Sequence, residues 1–194
     1  VEVWEAEEHL NIMRKTFAEL ESITATKLLH DLPIHKRLAN AEYAGLWQDQ
    51  TEHLKWLLPP TKCWPEEGVV EGGGWVNLPL LLSTWRTRLI DEGRFEQRPY
   101  QDDDGRGLSH GTWDAVVDCR GTATGLDTQM PQLDIRANRG ELLTVEQQAH
   151  SINPPDTHIL NFGKWTIPTS PGQWRLGASY EWNRTDLDPT AGTQ

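Results

Sequence analysis

The residues with the clearest chemical potential run from Trp113 to Gly125, where the apolar triplet Ala115, Val116 and Val117 ends in Asp118, Cys119, Arg120 and Gly121. A short unbroken apolar run closed by an acid and a glycine is how a strand buried on both faces of a parallel sheet reads. Open α/β sheets bind ligands just beyond the carboxyl ends of their strands, and a glycine there lets main-chain N–H groups approach a phosphate or a ring. The same residues also read as a core strand followed by an ordinary turn.

Other groupings promise chemistry and withhold it. Gly72 to Gly74 has neither Gly-x-Gly-x-x-Gly nor Gly-Lys-Ser/Thr spacing and is no phosphate loop. Asp102 to Gly105 lacks the alternate acids and distant glutamate of a calcium loop, so a surface turn is expected. His9 lies among the acids of a solvated helix face, and His30 with His35 lacks a third ligand at a defined offset. Cys63 and Cys119, the two cysteines, form neither a zinc motif nor a disulfide framework, which fits a reducing, cytoplasmic setting.

Composition narrows the partners. With 37% hydrophobic and 24% charged residues over 194 positions, the chain is globular. A formal charge of -11 argues against a sequence-independent nucleic-acid surface, which needs excess Lys and Arg. No apolar run approaches the roughly 20 residues of a membrane helix. No nucleic acid, no membrane and a small-molecule ligand are therefore expected. Val1 stands without an initiator methionine in what reads as a helix, so an internal fragment of a longer protein is expected.

The elements that must position these residues follow from periodicity. Ala6, Leu10, Met13, Phe17 and Leu20 predict a helix from Trp4 to about Leu20, with Glu5, Glu7 and Glu8 favoured in its first turns. Lys27 to Leu29 and Ile34 to Leu38 read as extended, broken by a turn at Asp31 to Pro33. Asn40 caps a helix carrying Tyr43, Leu46, Trp47, Leu54, Leu57 and Leu58 that stops at Pro59 and Pro60. Cys63 to Gly74 reads as a loop. Asn77 caps a second helix, with Pro79 in its first turn, Leu78, Leu81, Leu82, Trp85 and Leu89 on one face, and Gly93 at its end. Arg94 to Tyr100 reads as a strand, which makes the helix a crossover toward residues 113–118. Beyond Gly125 the texture is β-rich: 138–145, 157–160, 164–168 and 173–180, with Trp174, Leu176, Ala178 and Tyr180 on one face and a turn at Pro171 and Gly172.

The order of these segments resembles the FAD-dependent D-amino-acid oxidase and glycine oxidase superfamily. It is carried by Gly74-Trp-Val-Asn-Leu-Pro79, Trp113 to Gly121, Arg139-Gly-Glu-Leu-Leu143, Trp165-Thr-Ile-Pro168 and Leu176-Gly-Ala-Ser-Tyr180, spread over about 170 residues. The resemblance implies an α+β fold: an antiparallel-sheet substrate domain with helices (1–75 and 129–182), part of a parallel-sheet FAD-binding domain (76–128), and a tail (183–194). It implies oxidation of the C–N bond of an amine or amino acid by hydride transfer to FAD, the flavin carrying the difficult chemistry. Tyr100, Cys119 and Gly121 would then contact the cofactor, and Trp165 and Tyr180 would line the substrate pocket, or else pack one sheet face as plain aromatics. The family's glycine fingerprint and its late substrate-carboxylate arginine are not in these residues, so the chain alone is expected to bind FAD weakly or not at all. A competing reading takes the ten tryptophans as platforms of a non-catalytic module for carbohydrate or aromatic ligands; a relative that has lost its chemistry is a third.

Overall fold

A computed structural model describes residues 6–60, 67–99, 114–115, 117–121, 136–148, 154–184 and 186–190. The chain divides into two compact units, Val1–Phe95 with Leu142–Gly177, and Glu96–Glu141 with Ala178–Gln194. Tyr100, Trp113 and the Asp102 to Gly105 turn lie outside the described residues.

In the first unit, α1 (Ala6–Thr24) is followed by β1 (Leu29–Asp31) and β2 (Ile34–Arg37), then α2 (Ala41–Thr51), β3 (Leu57–Leu58), β4 (Glu67–Val70), β5 (Gly74–Val76) and α3 (Leu78–Asp91). The same unit is completed by β7 (Leu142–Glu146), β8 (Ile159–Asn161), β9 (Trp165–Ser170) and β10 (Gln173–Gly177). Seven strands form one sheet in the order β3-β4-β2-β8-β9-β10-β7, and β1 pairs with β5 in a separate ribbon. The sheet is mixed: β2 and β8 run parallel and its other pairs antiparallel. The second unit holds β6 (Asn138–Arg139) paired antiparallel with β11 (Glu181–Trp182).

Local chemistry accounts for the helix boundaries. The Asn40 side chain accepts from the Tyr43 N–H, and the Asn77 side chain accepts from the Leu80 N–H, each satisfying an orphan donor of a first turn. Gly93 closes α3 with φ +67. The end of α1 is tied to β1 by Glu21, whose Oε1 accepts from the Leu28 and Leu29 N–H groups at 2.7 and 2.8 Å. Those two bonds, that to Leu29 the larger effect, hold the Glu21 carboxyl below its ordinary pKa.

The core of the first unit gathers Leu28, Leu29, Leu38, Ala44, Leu57, Ile159, Thr166 and Trp174. Trp174 is 2% exposed, and its indole N–H donates to the Pro155 carbonyl at 3.2 Å, so burial leaves its one polar atom paired. In the second unit the Arg139 guanidinium is enclosed by Glu141, Asp186 and Thr190. A buried cation surrounded by acceptors fastens residues 186–190 to the β6–β11 pair.

Several expectations need correction. Residues 117–120 are not a strand, and Val117 is 82% exposed. A triplet of apolar residues holds itself extended only against partner strands, and no described strand pairs with it. Residues 94–99 are likewise not a strand. The helix after Asn40 ends at Thr51, because Leu57 and Leu58 pair with Val70 and Val69. The loop assigned to 63–74 contains β4 and the start of β5; Gly74 faces Asp31, and an added Cβ there would meet the His30 carbonyl oxygen at 2.5 Å. That glycine serves close strand approach. The strand expected over 138–145 is split into β6 and β7, and the one expected over 173–180 stops at Gly177.

Candidate functional site

Residues paired in register across neighbouring strands present their side chains on one face. Gly68 pairs with Lys36, Lys36 with Asn161, Asn161 with Trp165, Trp165 with Gly177, and Gly177 with Leu142. One row of the large sheet therefore carries Lys36, Asn161 and Trp165 side by side, with a glycine at either side of the trio. The Trp47 ring of α2 covers Gly68, since an added Cβ would lie 2.3 Å from Trp47 Cε2. Trp47 is fixed there by its indole N–H, which donates to the Leu58 carbonyl at 2.9 Å.

The result is a floor of an ammonium and an amide between two indole rings. Lys36, Asn161 and Trp165 are each half-buried, and Lys36 has no ion-pair partner among the described residues. An ammonium without an ion-pair partner beside an amide offers counter-charge and hydrogen-bond donors to a carboxylate, and an indole gives an aliphatic or aromatic group a flat wall. Lys36 and Asn161 are functional candidates that periodicity does not reveal: Asn161 meets Trp165 across the β8–β9 hairpin, and Lys36 joins them through a parallel pairing with a segment over a hundred residues away.

The opposite face holds a titratable cluster. His35 stacks on His158 with ring centroids 3.8 Å apart and planes at 23°. Glu67 Oε2 lies 3.4 Å from His35 Nδ1, and Thr157 Oγ1 lies 3.0 Å from His158 Nδ1. Burial, and then the charge His35 can carry, push the pKa of His158 down, against a smaller pull from Glu67. Among the described residues no group of three or more His, Cys, Asp and Glu is arranged to hold a metal ion. His30, once a conceivable partner of His35, instead stacks on Trp75 with centroids 4.2 Å apart.

The remaining sequence-derived candidates fall in the second unit. Cys119 is exposed; Gly121 has φ +61 with open space where a Cβ would stand. Between them, Arg120 closes on Asp118: its backbone N–H donates to Asp118 Oδ1 at 2.9 Å and its Nη2 to Oδ2 at 2.7 Å. Among the described residues this segment is not the end of a strand. Tyr180 lies between β10 and β11 and is 69% exposed.

The first unit thus defines an α+β protein whose mixed, mainly antiparallel sheet carries helices. No protein-family model matches the chain. Among solved structures it is similar to the glycine oxidase from Geobacillus kaustophilus, with a TM-score of 0.64 over 96% of this chain and 58% of that one at 16% identity. It is also similar to the glycine oxidase from Bacillus cereus ATCC 14579, with a TM-score of 0.57 over 97% of this chain and 60% of that one at 13% identity. At such identities the likeness is one of fold, and the chain spans about three fifths of the length of these enzymes. The resemblance read from the sequence holds at that level. No helix among the described residues is long and apolar enough to cross a membrane.

Proposed function

We propose that the chain is the substrate-side part of a flavin-dependent oxidoreductase that oxidises the C–N bond of an amino acid or amine. The observation that carries this reading is the match of nearly the whole chain path to glycine oxidases. Lys36 and Asn161 would receive the substrate carboxylate, and Trp165 would wall the carbon bearing the amine, holding it in one orientation. These residues bind and orient; none is asked to act as a nucleophile. Tyr180 joins the substrate side, and Tyr100, Cys119 and Gly121 the cofactor side, on the strength of the resemblance alone, as do the two lobes at 1–75 with 129–182 and at 76–128. The cofactor in this reading is FAD, and a cytoplasmic setting goes with it.

The tryptophan-platform alternative finds less support. Of the seven described tryptophans, six are buried or half-buried, and Trp182 is the exposed one, at 65%. A titration of intrinsic fluorescence separates the two readings. Glycine and D-alanine are expected to give a saturable change that Lys36→Met and Trp165→Phe each weaken, while glucose and cellobiose give none. A response to the sugars with none to the amino acids would overturn the assignment.

A further inference from the structure

A cavity lined by none of Lys36, Asn161 and Trp165 lies beside the β1–β5 ribbon. The β1–β5 ribbon presents His30 and Trp75 as a cross-strand pair, in register and stacked at an interplanar angle of 8°. Together with Pro168 and Pro171 of the β9–β10 hairpin, this pair walls a cavity of about 510 Å³, within the range of small-molecule sites. Leu32, Thr169 and Ser170 complete its uncharged lining.

Charges at the rim decide what such a cavity takes. Lys27 Nζ is engaged by Glu21 at 3.2 Å, and Asp31 Oδ1 faces Arg14 Nη2 at 3.4 Å. Asp156 is the third charged group lining the cavity, and it has no ion-pair partner among the described residues. An indole face beside an unspent carboxylate attracts an organic cation twice over, through the ring quadrupole and through Coulomb attraction, while an anion of the same shape meets repulsion.

From this geometry we infer a binding site for an aromatic or aliphatic organic cation of the alkylammonium type between the His30–Trp75 stack and Asp156. The site is independent of the oxidoreductase reading, since it uses other residues and needs neither flavin nor a reactive amine. Benzyltrimethylammonium is the chosen probe because it carries the charge and the ring but no amine hydrogen. Saturation-transfer NMR and calorimetry on the full chain are expected to show saturable binding, with phenylacetate binding at least about tenfold more weakly.

Trp75→Leu is expected to weaken the probe by about tenfold and exposed Asp156→Asn by about threefold, while Trp182→Leu leaves it unchanged. Should Trp75→Leu fail to fold, Asp156→Asn decides alone. No saturable binding, equal binding of phenylacetate, an unchanged affinity in Asp156→Asn, or a loss in Trp182→Leu overturns the inference. An amino-acid response that persists when the probe fails leaves the oxidoreductase reading standing, and the reverse result removes that reading but not this site.

Discussion

The stacked His35–His158 pair shows how a single side chain becomes pH-sensitive. Half-buried against another imidazole, His158 is stabilised in its neutral form, so its folded pKa lies below its unfolded value. As the pH falls through that unfolded value, near 6.5, the unfolded chain takes up a proton that the folded chain resists. The stability this group contributes is present above its unfolded pKa and is lost as the pH falls through the folded one. Thermal melts from about pH 8 to about pH 5 should therefore show a downward slope that His158→Phe, which keeps a ring in the stack, makes shallower. Identical slopes would mean that the proton is shed elsewhere. Neither histidine announces this in the sequence. The sequence sets His35 near His30, five positions away, whereas its partner lies 123 positions on, and the parallel β2–β8 pairing brings the two together.

At the scale of elements, α2 is held on the sheet by shape rather than by its hydrophobic stripe. Tyr43 and Leu46, counted on its apolar face, are exposed, while Ala44 is buried and Trp47 lies flat over Gly68. Gly68→Ala is expected to cost about 1–3 kcal/mol, because the new methyl meets the indole ring and the helix must lift. The same change made with Trp47→Leu should cost less than the sum of the two, as residues in contact do not act additively. Strictly additive melting shifts would show that the indole does not rest there. Capping was legible where packing was not: Asn40, Asn77 and Gly93 mark helix ends through bonds within a turn, and local bonds depend on local sequence. Leu57, Leu58 and residues 67–70 are strands that periodicity does not show, because their extended state depends on one another across a gap in sequence.

For the molecule as a whole, fold likeness and cofactor chemistry part company. The sheet and its helices follow glycine oxidases over nearly the full chain, yet the 194 residues contain no Gly-x-Gly-x-x-Gly and residues 117–120 are not a strand. The purified chain is accordingly expected to be colourless and to leave the fluorescence of added FAD unquenched at micromolar concentration. Yellow protein with flavin near one equivalent would show that these 194 residues hold the cofactor without that fingerprint.

What the sequence determined by itself is whatever depends on near neighbours: the helix caps at Asn40 and Asn77, the helix end at Gly93, the β-rich texture beyond Gly125, the turn at Gly172, and the order of segments that resembles an amino-acid oxidase. Tertiary structure alone decided which strands meet, and so which side chains share a row. Lys36 joins Asn161 and Trp165 through hydrogen-bond register with a distant segment, and Val117 is exposed with no described strand paired to it. An apolar triplet carries a tendency to extend, but the free energy that holds a strand comes from its partners, and those are chosen only when the whole chain folds.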